Sequence, residues 1–265
     1  MRQLDLKETQ KRLLDILVYA DSVFKKYNLK YSLAYGSLIG AARHKRFIPW
    51  DDDLDIVMPV QDYLKMLNLN VLNDQNKRYT VFFPQNTRER YNYPFAKIED
   101  NKTMCIFNKS NDHGGAFLDI FPVTPLPVTD YSDYLQKLSD LHDKLAFTYS
   151  RSTSIYKNII HVLSSPMYKY YRNKLEKLSL KYSHLTNYDY LVDSMWGTKK
   201  DERLLPKQWF NDYTKLEFEG YKFDVISNYD EWLNMVYGNW RSLPPKKSRV
   251  THHDFELYID DNEEL

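Results

Sequence analysis

The sequence contains very little cysteine: Cys105 is one residue among 265. A single cysteine excludes an internal disulfide, and a chain without disulfides is expected in a reducing compartment, most simply the cytoplasm. The N-terminal residues, MRQLDLKETQKR, are charged throughout and contain no apolar secretory core. The sequence therefore predicts a cytoplasmic protein, with the inner face of the membrane as the alternative location.

Long apolar runs and an excess of positive charge are also missing. The stretch Leu13–Ala20 is interrupted by Asp15, whereas a membrane span needs about 20 predominantly apolar residues. The formal net charge is +1, and no basic stripe of the kind that binds nucleic acid is visible. We expect no nucleic-acid partner and no transmembrane segment, while peripheral contact with a membrane stays open.

The hydrophobic pattern predicts both helices and strands. Apolar residues at three- to four-residue spacing predict a helix over Glu8–Tyr27. Alternating acidic and apolar residues predict a strand over Asp53–Met58 with one wet face. The same reasoning places further strands at Lys30–Tyr35, Tyr79–Phe83, Tyr93–Ile98, Thr103–Phe107 and Ala116–Phe121, and helices at Leu38–Arg43 and Gln61–Leu72.

A cluster of prolines suggests a boundary near residue 127. Pro122, Pro125 and Pro127 interrupt regular structure, and the periodicity beyond them is mainly helical. We therefore predict an α/β core over residues 1–127 and a mainly helical region over residues 128–265. In the second region we expect helices at Tyr131–Tyr149, Tyr168–Tyr182 and Asp230–Tyr237, and a hairpin that turns at Glu219-Gly220.

A glycine-serine pair and a basic loop indicate a place for phosphate. Gly36 and Ser37 lie between a predicted strand and a predicted helix, where backbone N–H groups are available to an anion. The basic residues that follow can close over a diphosphate: Arg43, His44, Lys45 and Arg46. An ordinary solvated surface loop is the alternative for this segment.

Four acids in five positions form the main candidate site. In a strand, Asp53 and Asp55 share one face about 6–7 Å apart, and Asp51 and Asp52 precede them. Two bare carboxylates at that separation repel by about 2–3 kcal/mol at an effective dielectric near 20. Mg²⁺ converts this repulsion into binding, because it prefers carboxylates together with substrate phosphates. A solvated acidic turn is the alternative, and the apolar flanking residues count against it.

Asp119 is a further candidate ligand. It stands in the otherwise apolar segment AFLDIF, and an acid in such a strand needs a partner. If this strand lies beside Asp53–Met58, then Asp119 completes a three-carboxylate metal site. A core acid that accepts hydrogen bonds from backbone amides is the alternative.

Taken together, these motifs resemble the LicD family of phosphocholine transferases, which is related to the fukutin-type ribitol-phosphate transferases. The longest and most specific match is AYGSLIGAARHKRFIPWDDDLDIVMP, residues 34–59. Looser matches follow at Lys97-Ile98, Phe117–Val123, Tyr229–Trp240, Leu243–Pro245 and Arg249–His253. The resemblance therefore spans nearly the whole chain.

The resemblance implies an α/β fold with a nucleotidyltransferase-like mixed sheet core. It also implies a Mg²⁺-dependent transferase that releases CMP. Asp53 and Asp55 would be the paired metal acids, with Asp119 as the third and Asp51 as a further ligand. One or two Mg²⁺ ions are implied, with Mn²⁺ as a substitute. The donor would be CDP-choline, and the acceptor a sugar hydroxyl of teichoic acid, lipopolysaccharide or capsule, on a free or lipid-linked glycan. Transfer of ribitol, glycerol or ethanolamine phosphate, and an inactive carbohydrate-binding scaffold, are the alternatives.

The resemblance also suggests which residues bind the donor. Gly36, Ser37 and the loop residues Arg43, His44 and Lys45 would contact its phosphates, and Lys97 is assigned to the same role. The tail would return to the site with Arg249 and His252. His252 is preferred over His253 because neighbouring side chains of an extended segment point to opposite sides; a solvated tail is the alternative.

Overall fold

The computed structural model describes residues 1–69, 72, 78–86, 91, 93–107, 113–149, 167–195, 204–251 and 255–261. Within these ranges, nine strands form one sheet in the order β1-β11-β5-β6-β3-β2, with β4 beside β5 and with β7 and β8 continuing from β6. The strands are β1 Arg2–Gln3, β2 Ser32–Leu33, β3 Asp55–Pro59, β4 Tyr79–Phe82, β5 Ala96–Phe107, β6 His113–Pro125, β7 Tyr190–Asp193, β8 Leu205–Pro206 and β11 Phe255–Ile259. The mixed α/β sheet expected from the sequence is confirmed.

The described helices follow the predicted periodicity closely. They are α1 Leu6–Tyr27, α2 Tyr35–Ile39, α3 Val60–Leu69, α4 Tyr131–Tyr149, α5 Tyr168–Ser179 and α6 Tyr229–Tyr237. A π-helical turn, Gly40–His44, continues α2, and 3₁₀ turns lie at Leu180–Tyr182, Lys207–Phe210 and Lys246–Ser248. None of the helices in the described ranges is long and apolar enough to cross a membrane.

Helix α1 begins and ends at residues suited to those positions. The side chain of Asp5 accepts the backbone N–H of Glu8, while the side chain of Glu8 accepts the N–H of Asp5, which satisfies two donors that the helix itself leaves unpaired. Asn28 closes the helix in the left-handed conformation with φ of 49°. The apolar face between these caps is fully buried, including Leu13, Leu17 and Phe24, and it packs against β5 and β6.

The central pair β5 and β6 differs from its prediction in two respects. The segments Tyr93–Ile98 and Thr103–Phe107 were expected as separate strands, but Ala96–Phe107 is one strand with an irregular register between Asp100 and Cys105. Within this gap Asp100 and Thr103 are buried, while Asn101 and Lys102 are exposed. Arg78 donates to the Asp100 carboxylate at 3.1 Å, and Thr103 donates to the Asp100 carbonyl at 2.7 Å.

Strand β6 also runs through Pro122, which was expected to end it. Asp119 directs its backbone N–H toward β3, so the backbone of Pro122, three residues later, faces the opposite side of the strand. On that side the pairing with β5 ends opposite Ile120, and the pairing with β7 begins opposite Val123. Pro122 therefore occupies the gap between two neighbouring strands, where a missing N–H costs no ladder hydrogen bond.

The region after residue 127 supplies both helices and strands. Helices α4 and α5 pack on each other around Leu138 and Leu175, which are fully buried in a separate small apolar cluster. Strands β9 (Tyr213–Phe218) and β10 (Tyr221–Ile226) form the predicted hairpin, which turns at Glu219-Gly220. Strand β11 instead joins the main sheet beside β5, and its Leu257 lies in the main core.

Candidate active site

Three charged side chains stand in one row across neighbouring strands. Strands β3 and β6 run parallel with Asp55 opposite Asp119. Strands β6 and β5 run antiparallel with Asp119 opposite Lys97. Residues paired in register lie on the same face of a sheet, so Asp55, Asp119 and Lys97 form an acid–acid–base row on one face. The strand that contains Asp119 therefore lies beside the strand that contains Asp55, which is the condition for Asp119 to act as a third carboxylate.

Lys97 is a buried partner of Asp119. Its Nζ lies 2.8 Å from Asp119 Oδ1 and 3.1 Å from Oδ2. The ammonium also lies 3.9 Å from the ring centroid of Tyr93 and 3.7 Å from that of Phe117. The ion pair and the two ring faces together stabilise a buried positive charge. The ion pair in turn holds the Asp119 carboxylate on the face of the sheet that carries Asp55.

The acids before β3 gather at the same end of the strand. One ligand oxygen from each of Asp51, Asp52 and Asp53 lies within 4.8 Å of the others. Asp53 was expected inside the strand, but β3 begins at Asp55, so Asp53 joins the cluster from the irregular segment that precedes the strand. Asp52, which was not among the predicted ligands, is buried with 6% exposure.

The pKa of Asp55 is shifted by its burial and by the acids around it. Burial raises the pKa of the Asp55 carboxyl well above its usual range, and Asp53, Asp119 and Asp51 raise it further, in that order, while Lys97 lowers it. The four predicted ligands therefore act on one another electrostatically. Such a group of partly buried carboxylates is stabilised by protonation or by a cation.

The glycine-serine pair holds the acid segment in place. The backbone N–H of Asp55 donates to Ser37 Oγ at 2.8 Å. At Gly36, a Cβ atom would come within 2.7 Å of Asp51 Oδ2, so a hydrogen at this position lets the carboxylate approach the start of α2. Gly36 and Ser37 thus lie directly beside Asp51 and Asp55.

The predicted phosphate-binding loop is held mainly by the C-terminal region. Arg43 Nη1 donates to the carbonyls of Trp240 at 2.6 Å and Ser242 at 3.2 Å, and its Nε donates to His44 Nε2 at 3.0 Å. Burial lowers the pKa of His44, and Arg43 and Arg46 lower it further, which favours the neutral acceptor. The exposed Lys45 pairs with Glu217 on β9 at 3.6 Å.

The tail does reach this loop. The Arg249 guanidinium lies 5.8 Å from the ring centroid of Trp50, the residue before Asp51, and its Nε donates to the Pro244 carbonyl at 2.9 Å. Burial lowers the pKa of Arg43, and the nearby Arg249 lowers it further. The two guanidinium groups therefore influence each other electrostatically. His252 lies outside the described residues.

Tyr35, the residue before Gly36, and Asp193 form a contact that was not predicted from the sequence. Tyr35 adopts a left-handed backbone with φ of 47°, which is uncommon for a bulky residue. Its hydroxyl donates to the buried carboxylate of Asp193 at 2.5 Å, and its ring packs against Phe121 and Trp232. The signal was available, because Asp193 ends the apolar strand YLVD as Asp119 interrupts AFLDIF.

The donor set fits a hard divalent cation. Carboxylate oxygens are the protein ligands that Mg²⁺ prefers, and the cluster of Asp51, Asp52 and Asp53 supplies three within 4.8 Å of one another. The close approach of Asp51 to Gly36 and the raised pKa of Asp55 are also consistent with a cation site, because both show acids packed closely together.

Comparison with known proteins decides the family. The profile described as "LicD/FKTN/FKRP, nucleotidyltransferase domain" matches residues 28–165, which contain the glycine-serine pair, the acid segment, Lys97 and Asp119. The chain belongs to the LicD family. It is 31% identical over 270 residues to the lipopolysaccharide cholinephosphotransferase LicD of Haemophilus influenzae, an alignment that covers 98% of this chain and 100% of the relative.

A second relative matches a shorter part of the chain. Over 54 residues the chain is 37% identical to an uncharacterized protein of Rickettsia prowazekii, which covers 20% of each sequence. The alignment to the Haemophilus LicD protein also includes the region after residue 165, where α5, α6 and β11 lie. Family membership therefore accounts for the fold class and for the resemblance seen in the sequence.

Proposed function

We propose that this LicD-family protein is a Mg²⁺-dependent transferase that moves phosphocholine from CDP-choline onto a sugar hydroxyl of a cell-surface glycan and releases CMP. The full-length similarity to a lipopolysaccharide cholinephosphotransferase supports choline as the alcohol and lipopolysaccharide as the acceptor class. Teichoic acid and capsule, as free or lipid-linked glycans, are the other acceptors of the same chemistry.

The observation that carries the proposal is the charged row in register across β3, β6 and β5. Asp55 and Asp119 lie opposite each other, the cluster Asp51–Asp53 adjoins them, and Ser37 fixes the Asp55 backbone. Transfer of a phosphoryl group depends mainly on positioning and on neutralisation of charge. One or two Mg²⁺ ions, or Mn²⁺ as a substitute, would supply that neutralisation when bound between these carboxylates and the donor phosphates.

The chain's own residues have separable roles in this proposal. Asp51, Asp53, Asp55 and Asp119 provide ligand oxygens, and Asp119 also orients the attacking sugar hydroxyl. Lys97 positions Asp119 through its 2.8 Å ion pair and also stays a donor-binding candidate. Gly36 and Ser37 admit the donor phosphates beside the acids, while the arginine pair Arg43 and Arg249 provides positive charge at the rim. His44, Lys45 and His252 are kept as donor-binding candidates.

A panel of CDP-activated alcohols tests the proposal. Release of CMP would be measured with CDP-choline, CDP-ethanolamine, CDP-ribitol and CDP-glycerol in the presence of Mg²⁺ and of a lipopolysaccharide acceptor. We expect CDP-choline to give the highest kcat/KM. A preference for another CDP-alcohol would leave the proposed reaction and site in place, but would show that choline is not the alcohol transferred. Absence of CMP release with every donor, in Mg²⁺ or Mn²⁺, would favour the inactive carbohydrate-binding scaffold.

A further inference from the structure

A lysine-rich groove lies between α4 and α5, away from the acid cluster. It encloses about 590 Å³. Its lining side chains include one acid, Asp140, and five exposed lysines: Lys137, Lys144, Lys174, Lys177 and Lys181. The formal net charge of the whole chain is +1, so this surface concentrates positive charge far beyond the average.

Within the part of the chain that the structure describes, the lysines of this groove have few strong acidic partners. The carboxylate of Asp140 accepts a hydrogen bond from the Gln136 amide at 2.8 Å. Lys137 and Asp133 lie 4.0 Å apart with both side chains largely exposed, an ion pair that solvent weakens. Lys174 and Lys181 contact tyrosine hydroxyl groups at 3.3 and 2.9 Å, rather than acids. The groove therefore keeps a local excess of positive charge that attracts anions.

Apolar groups accompany the lysines. Leu141 and Leu178 line the groove between them. The Tyr134 hydroxyl, near the start of α4, donates to the Ser179 carbonyl at the end of α5 at 3.2 Å. The two helices are therefore antiparallel, and Phe147 near the end of α4 lies toward the same end of the pair as Tyr170 near the start of α5. Both aromatic side chains are about half exposed, at 46% and 52%.

We propose that this lysine groove docks the protein on an anionic bilayer surface. Rows of lysine beside exposed aromatic and apolar side chains are the composition with which helices lie at a membrane interface, since ammonium groups meet lipid phosphates and aromatic rings enter the headgroup region. The exposed aromatic side chains favour a lipid surface over an acidic polypeptide, because a polyanionic chain would pair with the lysines alone and would leave Phe147 and Tyr170 in water.

Binding of the full chain to vesicles tests this docking surface without any transfer substrate. Co-sedimentation would compare vesicles of phosphatidylcholine with vesicles that also contain phosphatidylglycerol. We expect binding to the anionic vesicles and loss of that binding in about 1 M salt, where the screening length falls to about 3 Å. Each lysine near an anionic surface contributes about fivefold in affinity, so three neutralisations should weaken binding by about 100-fold.

The variants separate charge from folding. The triple variant Lys137→Gln, Lys144→Gln, Lys177→Gln should lose anionic-vesicle binding, and the same three positions changed to Arg should keep it. The matched control Lys26→Gln, Lys30→Gln, Lys222→Gln neutralises three exposed lysines elsewhere and should bind as the wild type does. Equal binding to both vesicle types would overturn the proposal, as would equal losses in groove and control variants. Capture of polyglutamate but not of vesicles would identify an acidic polypeptide as the occupant instead.

Discussion

At the scale of single residues, Gly36 gives a sharp test of the site's geometry. Its Cβ position lies 2.7 Å from Asp51 Oδ2, so Gly36→Ala should displace that carboxylate. We expect a fall in turnover of about 10- to 100-fold, the size of effect that a displacement near 1 Å can produce. Alanine favours a helix over glycine by up to about 1 kcal/mol, so the melting temperature should not fall. Unchanged turnover in this variant would mean that Asp51 does not contribute.

Asp55 tests whether the acids form a cation site, and the test uses stability rather than activity. Its pKa is raised in the folded protein by burial and then by Asp53, Asp119 and Asp51. A carboxyl whose pKa is higher in the folded state stabilises the fold when protonated, and this contribution is lost as the pH rises through the folded pKa. Without a cation, the free energy of unfolding therefore falls as the pH rises above the usual pKa range of an aspartate, because the folded protein holds the Asp55 proton more tightly than the unfolded chain does.

Asp55→Asn should consequently raise the melting temperature in EDTA at pH 7 while it abolishes transfer. A gain of 1 kcal/mol corresponds to about 2–4 °C for a chain of this size. The difference between variant and wild type should shrink as the pH falls and the wild-type carboxyl becomes protonated. Mg²⁺ should raise the melting temperature of the wild type more than that of the variant. A variant that melts below the wild type in EDTA, and responds equally to Mg²⁺, would contradict the cation site.

At the scale of elements, the segment from α6 to the tail is held against the loop that carries the acids. Arg43 donates to the carbonyls of Trp240 and Ser242, and Arg249 lies beside Trp50. Helix α6 itself contacts α2, the helix that contains Gly36. Elements almost 200 residues apart in sequence therefore meet at one rim of the site.

Arg249→Lys tests the tail's part in donor binding. A planar guanidinium can form two parallel bonds to a phosphate, which a lysine cannot reproduce. We expect the donor kcat/KM to fall by about tenfold, equivalent to about 1.4 kcal/mol, with the melting temperature nearly unchanged. Lys247→Gln, an exposed neighbour in the same turn, serves as the control and should behave as the wild type. Wild-type kinetics for both variants would make Arg249 a purely structural residue.

Elements with strong local periodicity were predictable from the sequence, and elements that depend on distant partners were not. The expected helix at Glu8–Tyr27 corresponds to α1, and the expected turn at Glu219-Gly220 joins β9 and β10. The sequence predicted two strands in place of β5, because the polar residues in its middle interrupt the alternation of apolar and polar residues that marks a strand. Asp100 tolerates burial there through Arg78, and nothing near Asp100 in sequence reveals that partner.

The site shows the same division. The acids at 51–55 and the pair Gly36-Ser37 can be recognised as candidate site residues from their local spacing. Asp119 can be recognised from the apolar residues around it. The ion pair between Lys97 and Asp119 depends on the register of two strands, which the sequence does not encode locally. The contact between Tyr35 and Asp193 joins residues 158 positions apart, so sequence reasoning could identify Asp193 as needing a partner but could not identify that partner.

At the scale of the whole molecule, the main sheet ties the two predicted regions together. Strand β11 pairs with β5 and buries Leu257 in the main core, although helices α4 and α5 have their own cluster around Leu138. Strand β7 continues the sheet from the end of β6. We therefore expect one cooperative unfolding transition rather than two separable domains.

Two leucine variants test this cooperativity. Leu257→Ala and Leu138→Ala each remove a buried side chain, which costs about 2–5 kcal/mol. Both should lower the melting temperature of the same single transition, by roughly 2–4 °C per kcal/mol, as followed by circular dichroism and by tryptophan fluorescence. If Leu138→Ala instead splits the curve and leaves an unshifted second transition, the helical pair unfolds independently of the sheet.

We propose above all that the protein transfers phosphocholine from CDP-choline to a glycan, and that this transfer depends on the carboxylates gathered around β3 and β6. The most direct measurement follows choline-labelled CDP-choline into lipopolysaccharide in the presence of Mg²⁺, with wild-type protein and with Asp55→Asn. We predict incorporation of label by the wild type, an equal amount of released CMP, and loss of both in EDTA and in the variant. Incorporation by Asp55→Asn at the wild-type rate, or release of CMP without label in the glycan, would contradict it.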